Sequence, residues 1–305
     1  MFTGLSAFPL TPVTRDGIDE TSFAGLVERL AVAEVDSITA LGSTGSYPYL
    51  NREERFRVAQ RAVEHAGDVP VIVGVGALRT RDVLELAADA QKVGASGVLL
   101  APVSYQALTE DEVFGLYEDV TAELSVPLVV YDNPGTTHFA FTDELYARIA
   151  ELPNVASIKI PGVPADPDEA EGRVCGLRAL LPSSVTIGVS GDPLAATGLN
   201  AGCHAWYSVL GGTLPEPAVA ITRAARAGDT ATAVVESERL RPLWELFRRH
   251  GSLRVVSAIA ELVGLVGHPN LPRPLRGLPD ADRAAVANAV ERLELGLRAG
   301  PGATA

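Results

Sequence analysis

Residues 70–102, PVIVGVGALRTRDVLELAADAQKVGASGVLLAP, contain two short apolar runs on either side of an amphipathic one. PVIVGVG (70–76) is rich in β-branched residues and stops at glycine; GVLLAP (97–102) stops at proline. Between them, TRDVLELAADAQKVG repeats its apolar residues at three- and four-residue spacing, the signature of one buried helix face. A strand, a helix and a second strand in that order form a parallel unit with the helix outside the sheet. Similar apolar runs occur at 4–10, 37–44, 127–134, 155–161, 185–191 and 204–210. Helical patterns such as TSFAGLVERLAVAEV, NREERFRVAQRAVEHAG and EDEVFGLYEDVTAEL fall between them. Eight strand–helix units in about 220 residues suit a closed (β/α)₈ TIM barrel better than an open doubly wound sheet, which is the alternative.

The strand signal ends near residue 225. TATAVVESERLRPLWELFRRHG, LRVVSAIAELVGLVG and DADRAAVANAVERLELGLRAG then read as helices, with the proline-rich HPNLPRPLRGLP before the last of them. The expected organisation is a barrel over 1–225 carrying the active site and a small C-terminal helical segment over 226–305. The tail GPGATA is expected to be mobile.

The 305 residues are 47% hydrophobic, enough to fill a substantial core. No apolar run is long enough to span a membrane and the N-terminus lacks a signal-peptide pattern, so a cytoplasmic protein is expected. A formal charge of −13 argues against nucleic-acid binding. Cys175 and Cys203 lack C-x-x-C spacing and are expected to be small core residues. The five histidines show no metal-ligand spacing, so neither metal nor cofactor is expected.

Only two of the 25 basic residues are lysines, Lys92 and Lys159. Lys92 closes an amphipathic stretch, where a cation suits the end of a helix dipole. Lys159 lies in VASIKIPG (155–162), near the C-terminal end of a strand, which is where barrels place their active sites. Strand alternation puts Val155, Ser157 and Lys159 on one face and Ala156, Ile158 and Ile160 on the other. Desolvation there would supply neutral amine able to attack a carbonyl, which arginine cannot do. A lysine that snorkels to solvent or pairs with a carboxylate fits the position equally well.

Tyr131 ends the preceding strand, in YDNPGTTHF, within reach of Lys159, and reads either as a proton relay or as a core aromatic before a turn. After the second strand, Gly42 and Gly45 permit a tight turn that displays Ser43 and Thr44, whose hydroxyls and N–H groups can hold a carboxylate. Asn51 and Glu54 then form an expected capping box.

In this order, the pieces resemble the dihydrodipicolinate synthase / N-acetylneuraminate lyase family of pyruvate-dependent aldolases. The resemblance rests on the Gly-Ser-Thr-Gly turn, the LNREER motif, Tyr131-Asp-Asn-Pro, Lys159 and Gly191-Asp192, and runs from GLSAFPLTPVTRDGIDE through YSVLGGTLPE. It implies that Lys159 is a Schiff-base nucleophile, that Tyr131 is the proton relay, and that Ser43 and Thr44, in the turn that includes Gly45, bind the keto acid carboxylate and extend the relay. Tyr105 stands one place later than the family tyrosine that enters a neighbouring subunit's site. Ser46 and Tyr47 replace a frequent glutamate region, Thr136 replaces an arginine of the lysine-biosynthesis branch, and Tyr207 replaces a small aliphatic residue. These departures make Thr136, Tyr207 and Tyr105 candidate substrate-binding positions. Arg79 is a candidate for supplying the missing guanidinium.

The resemblance implies a Schiff-base-forming lyase acting on pyruvate or a related 2-keto acid and an aldehyde, assembled at least as a dimer and usually a homotetramer. The alternatives are 4-hydroxy-tetrahydrodipicolinate synthase proper and a keto acid-binding sensor without turnover. A phosphate-gripping barrel isomerase is disfavoured by the aspartate after the seventh strand.

Overall fold

The computed structural model describes residues 1–295. The chain starts with β1 (Gly4–Ala7), then a small antiparallel hairpin, β2 (Val13–Thr14) and β3 (Gly17–Ile18). Seven more strands follow: β4 (Ser37–Ala40), β5 (Val71–Gly74), β6 (Gly97–Leu100), β7 (Leu128–Tyr131), β8 (Val155–Ile160), β9 (Thr186–Val189) and β10 (Ala205–Ser208). The surrounding helices are α1 (Glu20–Val32), α2 (Arg52–His65), α3 (Thr80–Lys92), α4 (Glu110–Ala122), α5 (Pro134–Thr137), α6 (Asp143–Ala150), α7 (Pro167–Leu180), α8 (Ala195–Asn200) and α9 (Pro215–Arg226). The C-terminal segment adds α10 (Thr230–Arg239), α11 (Arg241–His250), α12 (Ser252–Leu262) and α13 (Asp280–Arg292).

The sheet closes. β1 pairs in parallel with β10, Gly4 opposite Ala205 through Ala7 opposite Ser208, and on its other edge with β4. An open sheet would leave two free edges, so this is a (β/α)₈ TIM barrel followed by C-terminal helices. Each strand is shorter than its apolar run because the last residues of the run turn outward into the loops over the barrel mouth. The C-terminal residues of the last expected helix and the GPGATA tail lie partly or wholly outside the described residues. Among the described residues, no helix is long and apolar enough to cross a membrane.

Two apolar layers result from strand alternation. Phe8, Ile72, Leu99, Val129, Tyr131 and Tyr207 fill the barrel interior, while residues such as Ile38, Val73, Leu100 and Ile158 face the helices. One expected face assignment is wrong. Val155 joins the helix-facing cluster rather than the side of Lys159, because the register between β7 and β8 slips by one residue after Leu128 pairs with Val155. A bulge of this kind places one extra residue on a strand and reverses the alternation across it. Ser157 and Lys159 lie beyond the slip and point inward.

The interior also shows why a glycine stands at position 188. A Cβ on Gly188 would lie 2.2 Å from the Tyr207 ring. That ring crosses β9 so that its hydroxyl meets Ser157 Oγ at 2.7 Å. Gly188→Ala should therefore lower the unfolding free energy by about 1–3 kcal/mol through overpacking. Urea denaturation should show this loss, and adding Tyr207→Leu should recover part of it.

Cys203 is buried, and its thiol is pushed up to about 12 by desolvation. Cys175 departs from expectation: it is exposed on α7, because that helix turns its residue 175 away from the sheet.

Candidate active site

The turn after β4 sets one side of the barrel mouth. Leu41 and Ser46 adopt left-handed backbone conformations, at φ 57° and 55°, and Ser46 N–H donates to the Ser43 carbonyl at 3.1 Å. Gly45 is pressed against the backbone of Leu41, where an added Cβ would stand 3.0 Å from the Leu41 nitrogen. Gly45 thus closes the turn from behind, while Ser43 and Thr44 face the cavity. The expected capping box is present: Asn51 Oδ1 accepts from Glu54 N–H at 2.9 Å, and Glu54 Oε2 accepts from Asn51 N–H at 2.8 Å.

That cap aims Arg55 inward. Its guanidinium donates to the carbonyls of Gly74 and Gly76 at 2.8 and 3.0 Å and lies over the Tyr47 ring. Burial pulls the Arg55 guanidinium down to about 10. The LNREER motif therefore ties the Ser43–Tyr47 turn to the end of β5.

Opposite this turn, β7 and β8 align Tyr131 directly with Lys159. Lys159 is only 5% exposed, and its ammonium stands 3.9 Å from the centroid of the Tyr131 ring and 5.5 Å from that of Phe8. Burial holds the amine below the ordinary lysine range, opposed by Tyr131, Asp192 and Asp132. The Tyr131 hydroxyl lies 3.1 Å from Ser43 Oγ and accepts from Asn133 Nδ2 at 2.8 Å. Asn133 also reaches Ser43 Oγ at 3.5 Å. Pro134 then opens α5 at its first position, where its missing N–H costs nothing.

Two buried carboxylates favour the charged form of the amine. Asp132 accepts from the Tyr146 hydroxyl at 2.5 Å, and desolvation raises its pKa. Asp192 accepts from Trp206 Nε1 at 3.0 Å, from Val209 N–H at 3.2 Å and from Leu210 N–H at 2.7 Å. It clamps the end of β9 to the end of β10, and burial raises its pKa against those hydrogen bonds.

These groups open into a cavity of about 1030 Å³. Lys159, Tyr131, Ser43, Thr44, Thr136 and Tyr207 all line it. Thr136 is exposed, with its hydroxyl donating to the Asn133 carbonyl at 3.3 Å. Tyr207 is buried deep in the barrel, its hydroxyl satisfied by Ser157, and desolvation raises its pKa strongly. Tyr105 is 91% exposed and lies outside the lining of this chain's cavity. Arg79, the residue before α3, is also outside it. Asn133, Tyr47 and Asp192, which sequence position alone does not single out as site residues, also line the cavity. In the sequence Asn133 reads as part of a turn; the signal for it is an amide two residues after a strand-end tyrosine. α11 also contributes, and nothing in its pattern indicates that one face overlooks the barrel. Among the described residues there is no group of three or more His, Cys, Asp or Glu side chains that could hold a metal ion.

The model of the dihydrodipicolinate synthetase family matches residues 1–293. A 4-hydroxy-tetrahydrodipicolinate synthase from Hyphomonas neptunium is 32% identical over 299 residues, covering 96% of this chain and 98% of the relative. One from Halorhodospira halophila is 31% identical, covering 95% and 97%. The crystal structure of a dihydrodipicolinate synthase from Agrobacterium tumefaciens superposes with a TM-score of 0.92 at 44% identity, covering 96% of this chain and 98% of that one.

Proposed function

The chain belongs to the dihydrodipicolinate synthetase family, and on that premise we propose that it is a lyase which forms a Schiff base between Lys159 and pyruvate or a related 2-keto acid. The observation that carries this reading is the buried Lys159 amine, set against the Tyr131 ring at the floor of the cavity. Neutral Nζ attacks the C2 carbonyl and gives a carbinolamine. Protonation of its hydroxyl lets water leave and an iminium form, with Tyr131 and Ser43 carrying the protons. Loss of a C3 proton to the same relay gives the enamine. The enamine adds to the carbonyl carbon of an aldehyde, and hydrolysis of the resulting imine releases the product and regenerates the amine; run backwards, the sequence cleaves an aldol. Ser43 and Thr44 hold the keto acid carboxylate. The assembly in this reading is at least a dimer.

Product formation well beyond one equivalent per chain, from pyruvate and a panel of aldehydes, tests this function. Stoichiometric binding without turnover would make the protein a keto acid sensor instead.

A second reading, 4-hydroxy-tetrahydrodipicolinate synthase proper, is favoured by the names of the curated relatives. Thr136 weighs against it. Its single hydroxyl is already engaged with Asn133 and supplies no positive charge to an acceptor carboxylate. Aspartate semialdehyde should therefore be a poor acceptor, and Thr136→Arg should raise its kcat/KM by about tenfold or more, the worth of a charged hydrogen bond. Efficient turnover by the wild type would restore the second reading.

A further inference from the structure

Lys159 has a glycine opposite it on β9, because the pairing of β8 with β9 sets it against Gly188. The space that a side chain at 188 would take is filled by Tyr207, whose ring stands 2.2 Å from the position of the missing Cβ. Tyr207 starts on β10, crosses β9 and ends at β8, where its hydroxyl meets Ser157 Oγ at 2.7 Å. Ser157 shares the inward face with Lys159 two residues earlier on the strand, about 6.6 Å deeper in the barrel. The ring therefore passes beneath the amine. Phe8 closes the floor beside it: its centroid lies 5.5 Å from Lys159 Nζ and 6.0 Å from that of Tyr207, edge to face. Tyr207 and Phe8 are each 2% exposed, and both line the cavity. A ring held at both ends and packed against a second ring yields to a larger ligand only at the cost of strain.

We infer that Tyr207 sets the size of the keto acid: C3 of the Lys159-bound substrate rests on its ring, which admits pyruvate and rejects 2-keto acids with a longer chain. The inference rests on the Schiff-base reading of Lys159. In that reading C2 is bonded to Nζ and the carboxylate is held by Ser43 and Thr44. One face of the enamine must stay open to the aldehyde arriving from the barrel mouth, so C3 lies with its other side on the floor. A methyl group added at C3 runs into the Tyr207 and Phe8 rings, and the volume above it belongs to the acceptor.

The test needs no aldehyde. Pyruvate and 2-oxobutyrate are offered in equal amounts with cyanoborohydride, and mass spectrometry measures the two reduced adducts on Lys159, which differ by one methylene. The same competition for a free lysine derivative corrects for intrinsic reactivity. Wild-type protein should favour pyruvate by about 10- to 200-fold, the worth of one methylene in a closed pocket. Tyr207→Leu and Tyr207→Ala should lower that preference by about tenfold or more. Tyr207→Phe keeps the ring and drops the bond to Ser157, so it should retain most of the preference. A Tyr207 that merely fills the barrel would alter stability in these variants and leave the ratio where it was. Equal labelling of the wild type by the two acids would overturn the inference whether or not the variants fold. So would an unchanged ratio in Tyr207→Leu and Tyr207→Ala that still trap pyruvate, and the lyase reading would then stand. If Tyr207→Phe proved as permissive as Tyr207→Ala, the bond to Ser157 and not the volume of the ring would set the limit, which also overturns it. A wild type that never traps pyruvate would remove the premise and the inference with it.

Discussion

Incubating the protein with pyruvate and borohydride should leave one reduced pyruvyl group on Lys159, and Lys159→Arg should abolish both the labelling and turnover. The loss should be at least about 10⁴-fold, as for other covalent nucleophiles whose removal leaves only binding and electrostatics. Arginine keeps a charge at the site and remains protonated, so the variant separates nucleophilicity from charge. The pH profile gives a second check. Imine formation needs the neutral amine, so its rate should rise with pH and level off around the folded-state pKa of Lys159. Burial lowers that pKa, so the midpoint should lie below the ordinary lysine value of about 10.4. Peptide mapping that finds the label on Lys92 or the N-terminus alone would sink the Schiff-base assignment.

Tyr131→Phe should slow turnover by about 10²–10⁴-fold, the usual worth of a general acid–base group. The Phe ring keeps the face that packs against the Lys159 ammonium, so folding and pyruvate trapping at long times should survive. The variant loses only the hydroxyl that accepts from Asn133 and meets Ser43. A turnover rate equal to wild type in the folded variant would reduce Tyr131 to a barrel-filling aromatic.

The alternation of apolar runs with amphipathic stretches was enough to indicate a parallel barrel, because each pattern records which face of an element is buried. Position at the end of such runs brought Lys159, Tyr131, Ser43 and Thr44 forward, because the chemistry of a barrel collects at one rim. The same patterns are silent about partners distant in sequence. Ser43 and Tyr131 are 88 residues apart, and their contact exists only because the sheet closes and brings the two loops to one mouth. Asn133 completes that group and reads in the sequence only as a turn residue. Asp192 reads as a loop carboxylate, and its three hydrogen bonds to the end of β10 emerge only from strand pairing.

The amino-acid sequence by itself determined the order of elements, the capping box on α2 and the choice of a lysine where arginine is the rule. Those features follow from local periodicity and side-chain chemistry. Tertiary structure alone decided that Val155 turns outward, since a one-residue slip against β7 reverses a face without altering composition. It decided that the Tyr207 ring crosses over Gly188 to Ser157, because a ring takes whatever volume its neighbours leave. It also decided that α11 brings Arg248, and not Arg79, to the cavity. An amphipathic helix specifies that one of its faces must be covered, but which surface covers it depends on packing between elements far apart in the chain.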